Sequence, residues 1–435
     1  MRHLWVTALI LPYVFLLGCG GSSPPIEPVR ASAGTNEYPI VLVHGLLGFG
    51  REELFGFKYW GGFLDLEEQL REAGYETYTA AVGPVSSVWD RACELYACIK
   101  GGRVDYGEAH SRRFGHDRFG RTYPGLYPEW GQVDQRTGQI RKIHIIGHSL
   151  GGPTGRMLIQ LLEEGAPEGA PVGDPVQEHS ERSDSWQGEH PLFQGGKSWV
   201  CSLTTIASPH DGTTFAYRWD WDQSLVKPAF TFMISVSSSS PELYYDFKLD
   251  QWGLSRHPGE DFSEYRDRVL SSDIWHRSRD TASWDGSPEG AMELNRWVRA
   301  QPRVYYFSWA TEATYRDPLS GTQVPELGVP GAIASIARFI GSYSREDANS
   351  VSIDSSWWQN DGVVNTNSMD GPTLGSTDKI RPFSGTPVQG EWNYMGLLAS
   401  VDHLDIIGIP AADHRLKEWY LSLAAFLDSV PCESP

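Results

Sequence analysis

From residue 38 onward the chain carries short unbroken apolar runs, each stopped by glycine or a polar turn and most followed by a stretch of helical spacing. Residues 38–43 read Tyr-Pro-Ile-Val-Leu-Val and stop at His44-Gly45, the pattern of a strand buried on both faces, as in a parallel sheet. Residues 64–73 place apolar side chains at helical intervals, Gly74 closes them, and residues 75–82 alternate, so the predicted order is strand, helix, strand. Residues 142–146 predict a further buried strand, residues 155–164 a helix, and residues 199–207 and 303–309 two more strands. The alternation predicts an α/β fold, with a mostly parallel central sheet and helices on both faces.

Two stretches break the series. Residues 165–198 are rich in Pro, Gly, Glu and Ser without apolar period, which predicts a surface excursion. Residues 215–240 hold Trp219, Trp221, Leu225, Val226, Phe230, Phe232, Met233 and Ile234, and follow directly on Ser208-Pro209-His210-Asp211-Gly212. That much apolar surface in a connection reads either as a core helix or as a mobile lid over an apolar acyl pocket. Ahead of the first strand, Met1-Arg2-His3 and the apolar residues 4–18 have the form of a signal peptide, too short to span a membrane. It ends Leu16-Leu17-Gly18-Cys19, similar to the lipobox of bacterial lipoproteins apart from Leu17, an unusual residue at its place. Residues 1–19 are thus expected to leave an acylated Cys19 as an anchor; an ordinary secretory signal is the alternative. The Gly, Ser and Pro content of residues 20–37 suits a flexible tether. The expected location is outside the cytoplasm, either lipid-anchored at the cell surface or outer membrane, or secreted.

The length of 435 residues permits one large domain, here residues 38–430. With 55 acidic against 36 basic residues and a net charge of −19, most of the surface would repel phosphate backbones, which excludes nucleic acid as a partner. Cys93 and Cys98 fall in a predicted helix about 140° apart around its axis, so they do not face each other. Cys201 sits in an apolar run and reads as a buried core residue, while Cys432 in the tail is open to pairing with any cysteine or none.

The chemistry begins at residues 147–151, Gly-His-Ser-Leu-Gly, between the strand at 142–146 and the helix at 155–164. A serine hydroxyl is a weak nucleophile until a base takes its proton, and it must be presented to both base and substrate carbonyl. The sequence G-x-S-x-G does this by a tight strand-to-helix turn, which makes Ser149 the candidate nucleophile. At the end of the first strand, His44-Gly45-Leu46-Leu47-Gly48 matches the loop that in α/β-hydrolases gives one oxyanion-hole N–H, the other coming from the residue after the nucleophile. Those residues are Leu46 and Leu150. The triad order serine, acid, histidine is then met by Asp361 in the Asn360-Asp361-Gly362 turn and by His403. His210 precedes every plausible late acid and reads as structural. In this assignment His403 takes the Ser149 proton and returns it to the leaving alcohol, while Asp361 orients the imidazole.

The stretches REELFGFKYWGG, AVGPVSSVWDRACELYA, GGRVDYGEAHSRRFGHDRFGRTYPGL, TTIASPHDGTT, YDFKLDQWGL, NDGVVNT and VDHLDIIG together resemble the thermoalkalophilic lipases of bacilli and their staphylococcal relatives, over about residues 38–427. The resemblance implies an α/β-hydrolase fold and a triad at Ser149, Asp361 and His403. It also implies a structural Zn²⁺ held by Asp90, His110, His116 and Asp280 on a small extra domain, about residues 84–125 plus the Asp280 region; spacing alone leaves the two histidines as surface residues. It further implies a Ca²⁺ site mapping onto the Gly328 carbonyl, Asp405, Pro410 and Asp413. Where relatives read Asp-Pro, this chain reads Pro410-Ala411-Ala412-Asp413, one residue shorter, so calcium binding is expected to be weaker or lost. The implied activity is hydrolysis of acylglycerol esters at a lipid interface. An esterase or phospholipase with another acyl substrate, and a non-catalytic lipid-binding surface protein, are the alternatives.

Overall fold

The structure, a computed structural model, describes residues 36–166, 190–218, 245–409 and 412–432. The expected signal peptide, nearly all of the expected tether, and most of residues 165–198 and 215–240 lie outside the described residues. Among the described residues no helix is long and apolar enough to cross a membrane.

In chain order the strands are β1 (Ile40–Val43), β2 (Thr77–Ala80), β3 (Gly102–Asp105), β4 (Phe119–Tyr123), β5 (Ile143–His148), β6 (Val200–Ile206), β7 (Tyr305–Glu312), β8 (Thr314–Arg316), β9 (Gln323–Pro325), β10 (Ile380–Pro382) and β11 (Trp392–Ala399). Seven of them form the central sheet in the order β10-β11-β7-β6-β5-β1-β2, with every neighbouring pair parallel. Strands β3 with β4, and β8 with β9, make separate antiparallel ribbons. The helices used below are α1 (Leu66–Glu72), α2 (Val88–Lys100), α3 (Glu108–Phe114) and α4 (Gly151–Glu164).

The strands are continuously apolar because both faces are covered. Ile40 and Leu42 point into one core with Phe307, Trp309 and the last helix, His414–Asp428, while Val41 and Val43 point into a second with α2 and α4. That is the period of two expected of a pleated strand. Strands β5 and β7 run further at their C-terminal ends than the apolar runs suggested, taking in Gly147, His148, Thr311 and Glu312. The extra residues are polar or small because the candidate site is built there. Helix α4 begins at Gly151, ahead of the expected residue 155, and its Pro153 is tolerated because first-turn N–H groups have no intrahelical acceptor. In the expected surface excursion, Leu192 and Phe193 are buried against the second core; two apolar residues are too few to produce a period.

Cys201 is buried in β6 as expected, and it is the partner left open for Cys432: the two form a disulfide across 231 residues at a Cα–Cα separation of 5.5 Å. The tail returns after the last helix to the start of β6, a meeting that spacing could not reveal. Cys93 and Cys98 are free and buried. Beside the disulfide, Asn36 Nδ2 donates to the carbonyls of Leu427, Asp428 and Val430, each at 3.0 Å, so both ends of the described chain are fastened together.

Candidate active site and metal centre

Four of the seven described non-glycine residues with positive φ lie at the C-terminal ends of sheet strands: Leu47 after β1, Ser149 after β5, Ala207 after β6 and Ser400 after β11. Each costs roughly 1–3 kcal/mol, and such strain gathers where geometry is over-determined. At Ser149 φ is 55°, its N–H donates to the Ile206 carbonyl at 3.0 Å, and its carbonyl accepts from Gly152 N at 3.0 Å. The flanking glycines keep ordinary φ, so their role is space. A Cβ on Gly151 would stand 2.2 Å from the Val43 carbonyl oxygen, and one on Gly147 would stand 2.6 Å from the Gly151 backbone. Gly45 is small for the same reason, since its Cβ would meet Ser149 Cβ at 2.6 Å.

The side chains of Asp361 and His403 meet. Asp361 is wholly buried; its Oδ1 accepts from the N–H of Val363 (3.0 Å) and Val364 (2.9 Å), and its Oδ2 accepts from Thr311 Oγ1 (2.8 Å). The same Oδ2 lies 2.7 Å from His403 Nδ1. A carboxylate can only accept here, so Nδ1 carries the proton and Nε2 keeps the lone pair of a base. His403 N–H also donates to the Asp361 carbonyl at 2.9 Å, which pins the two loops by backbone as well. The N–H groups of Leu46 and Leu150 donate to no acceptor among the described residues. His210 is elsewhere: fully buried, its Nε2 2.9 Å from Thr205 Oγ1 and its ring edge-on to Trp392, it is structural as expected.

Three residues that no sequence motif singled out complete this surround. Thr311 holds the acid. Tyr59 Oη accepts from Gly45 N–H at 2.9 Å and lies 2.6 Å from His148 Nδ1. Arg91, fully buried, donates to the carbonyls of His44 and Gly83 and to Thr154 Oγ1, joining α2 to the end of β1 and to α4. Burial brings its guanidinium down to about 10. No short motif marks these positions, because each acts on a segment distant in sequence.

Asp90, on the first turn of α2, converges with His110 of α3, with His116 and with Asp280, and the four offer ligand atoms within 4.8 Å of one another. His110 Nε2 stands 3.2 Å from both Asp90 Oδ1 and Asp280 Oδ1, and His116 Nε2 stands 3.2 Å from Asp280 Oδ2. These atoms are buried without hydrogen-bond partners, an arrangement a cation at their centre would satisfy. The surround orients them. Gln251 Nε2 donates to Asp90 Oδ2 at 2.7 Å, His116 Nδ1 lies 2.8 Å from the Asp117 carbonyl, and His110 stacks on Trp89 at 4.9 Å. The residues fit a metal ion with oxygen and imidazole ligands.

Three of the four positions mapped to calcium, Gly328, Asp405 and Asp413, lie among the described residues, and the Asp413 charge acts on Asp405. Asp405 lies beside buried Asp402, whose Oδ1 accepts from Asp405 N–H at 2.9 Å; burial and the Asp405 charge push Asp402 up to about 8. Asp413 caps the last helix, accepting from Leu416 N–H at 3.0 Å, and pairs with Arg415 at 2.7 Å. Gly328 stands in an exposed turn at φ 114°, and Pro410 lies outside the described residues.

Residues 36–430 match the family model described as "Lipase-like, C-terminal domain". "Lipase 2" of Staphylococcus aureus is 33% identical over 399 residues, covering 90% of this chain and 54% of its own length, so the chain spans about half of that relative. Among solved structures, EstA from Clostridium botulinum is 46% identical with a TM-score of 0.82, covering 93% of this chain and 91% of that one. Lipase 1 from Pelosinus fermentans is 49% identical with a TM-score of 0.79, covering 91% and 100%. With the parallel sheet, the serine turn and the Asp361–His403 pair in place, the chain belongs to the lipase-like, C-terminal domain family.

Proposed function

We propose that the chain is a triacylglycerol lipase that cleaves carboxylic esters through Ser149, His403 and Asp361. The observation that carries the reading is the Nδ1–Oδ2 bond of 2.7 Å between His403 and Asp361, at the same end of the sheet as the strained Ser149 turn. Ser149 attacks the ester carbonyl as His403 Nε2 takes its proton. The tetrahedral oxyanion is received by the Leu46 and Leu150 N–H groups, which have no competing acceptor among the described residues. Asp361, held by three other accepted hydrogen bonds, stabilises the imidazolium through the one from His403 Nδ1, and His403 then protonates the leaving alcohol. Water, deprotonated by His403, releases the fatty acid from the acyl-enzyme.

Asp90, His110, His116 and Asp280 would hold Zn²⁺, which in a closed four-ligand site supplies stability rather than chemistry. Calcium binds more weakly than four conventional ligands would allow, or not at all, since Asp413 is engaged by the helix it caps. The apolar sequence of residues 215–240 supports activation at a lipid interface, and residues 1–19 support export with Cys19 as a lipid anchor. The test is turnover across emulsified triglycerides of increasing chain length. The reading requires hydrolysis of long-chain emulsions at rates that rise past the solubility limit; activity confined to soluble short-chain esters contradicts it.

A further inference from the structure

Between the serine turn and the histidine loop lies a polar chain that the triad chemistry does not use. Gly45 N–H donates to Tyr59 Oη at 2.9 Å, Tyr59 Oη lies 2.6 Å from His148 Nδ1, and His148 Nε2 lies 3.0 Å from the His403 carbonyl. All three contacts are buried.

The direction of every proton follows from the two ends. A carbonyl oxygen only accepts, so His148 Nε2 must be the N–H, which leaves Nδ1 as the acceptor of the Tyr59 hydroxyl proton. The Tyr59 oxygen then has a lone pair for Gly45 N–H. Only this one neutral tautomer satisfies the whole chain. Burial, then the neighbouring His403, hold His148 well below the usual histidine range, and burial pushes the Tyr59 phenol up. Neither side chain therefore places a charge next to the base.

We propose that Tyr59 and His148 are positioning residues, whose hydrogen-bond chain locks the oxyanion loop, the nucleophile turn and the His403 loop in one register. The inference rests on the reading of Ser149 and His403 as nucleophile and base. Its three anchoring points serve the three parts of that machinery: Gly45 packs on Ser149 and precedes Leu46, His148 precedes Ser149, and the accepting carbonyl belongs to His403 itself. The His148 and His403 rings are 4.6 Å apart, so loss of the link lets the base shift without opening the core. The chain closes only in the folded molecule, since Tyr59 and His148 are 89 residues apart and His148 and His403 are 255.

The test compares Tyr59→Phe, His148→Leu and His148→Gln with wild type, with Ser149→Ala as blank, by kcat and KM on a soluble ester and by melting temperature. A displacement of the base by about 1 Å costs roughly 10²-fold, so Tyr59→Phe and His148→Leu are expected to lose about 10- to 100-fold in kcat with KM within about twofold. His148→Gln keeps an N–H where Nε2 stands and should recover most of the His148→Leu loss. Tyr59→Phe keeps the ring packing, so it should melt close to wild type. Wild-type kcat in Tyr59→Phe and His148→Leu, or a His148→Gln variant no better than His148→Leu, overturns the positioning role alone. Turnover that survives in Ser149→Ala overturns it together with the reading on which it rests.

Discussion

The acid of the pair carries an unusual load. Asp361 accepts from two backbone N–H groups, a threonine hydroxyl and an imidazole, so its orientation is fixed before any substrate arrives. Asparagine at this position keeps the shape, but can present an N–H to the imidazole and so force the wrong tautomer on His403. Asp361→Asn is therefore expected to lower kcat by about 10⁴-fold with little change in KM, measured by steady-state hydrolysis; a loss under tenfold would mean His403 needs no acid. Ser149, Asp361 and His403 could be named as candidates from the sequence because each sits in a short motif whose spacing reflects local backbone geometry. Thr311, Tyr59 and Arg91 were not, since their partners lie 50, 14 and 47 residues away and no local pattern encodes such pairings.

Among the elements, helix α2 joins the two centres. Its consecutive residues Asp90 and Arg91 turn in different directions, one toward the candidate metal cluster and the other to the His44 carbonyl at the start of the candidate oxyanion loop. Without an ion, two buried carboxylates face two imidazoles, and one of them, Asp90, is on the helix whose Arg91 is bonded to the end of β1. Chelation is expected to lower both the melting temperature and kcat, and Asp280→Ala to do the same without chelator. Elemental analysis should find one metal ion per chain in wild type and none in that variant. A metal-free protein with unchanged melting would refute the cluster's role. The strands of the central sheet were legible as far as they were apolar. β11 was not, because Trp392–Ala399 contains Gly396 and a register shift at Tyr394/Gly396 that break the expected run. The four candidate metal ligands could be named only through resemblance, as they come from three separate segments, with His110 and His116 sharing one.

At the scale of the whole molecule, the parallel sheet is fastened at the ends opposite the site by Cys201–Cys432 and by Asn36 on the tail. The bond spans 231 residues, so it constrains the unfolded chain strongly. Cys432→Ser is expected to cost about 2–4 kcal/mol in denaturant unfolding while leaving kcat near wild type, because the disulfide is remote from Ser149. Equal stability with and without reductant would show the bond to be dispensable. The same frame leaves the C-terminal ends of β1, β5, β6 and β11 to carry backbone strain and the candidate chemistry together. The claim that joins these scales is that Ser149 is the nucleophile of an ester hydrolase. Intact-mass titration of wild type and Ser149→Ala with a fluorophosphonate, assayed in parallel for hydrolysis, tests it most directly. The account predicts one adduct per chain, mapped to Ser149, with activity lost in proportion and neither adduct nor activity in Ser149→Ala; an adduct at another residue, or hydrolysis persisting in Ser149→Ala, would contradict it.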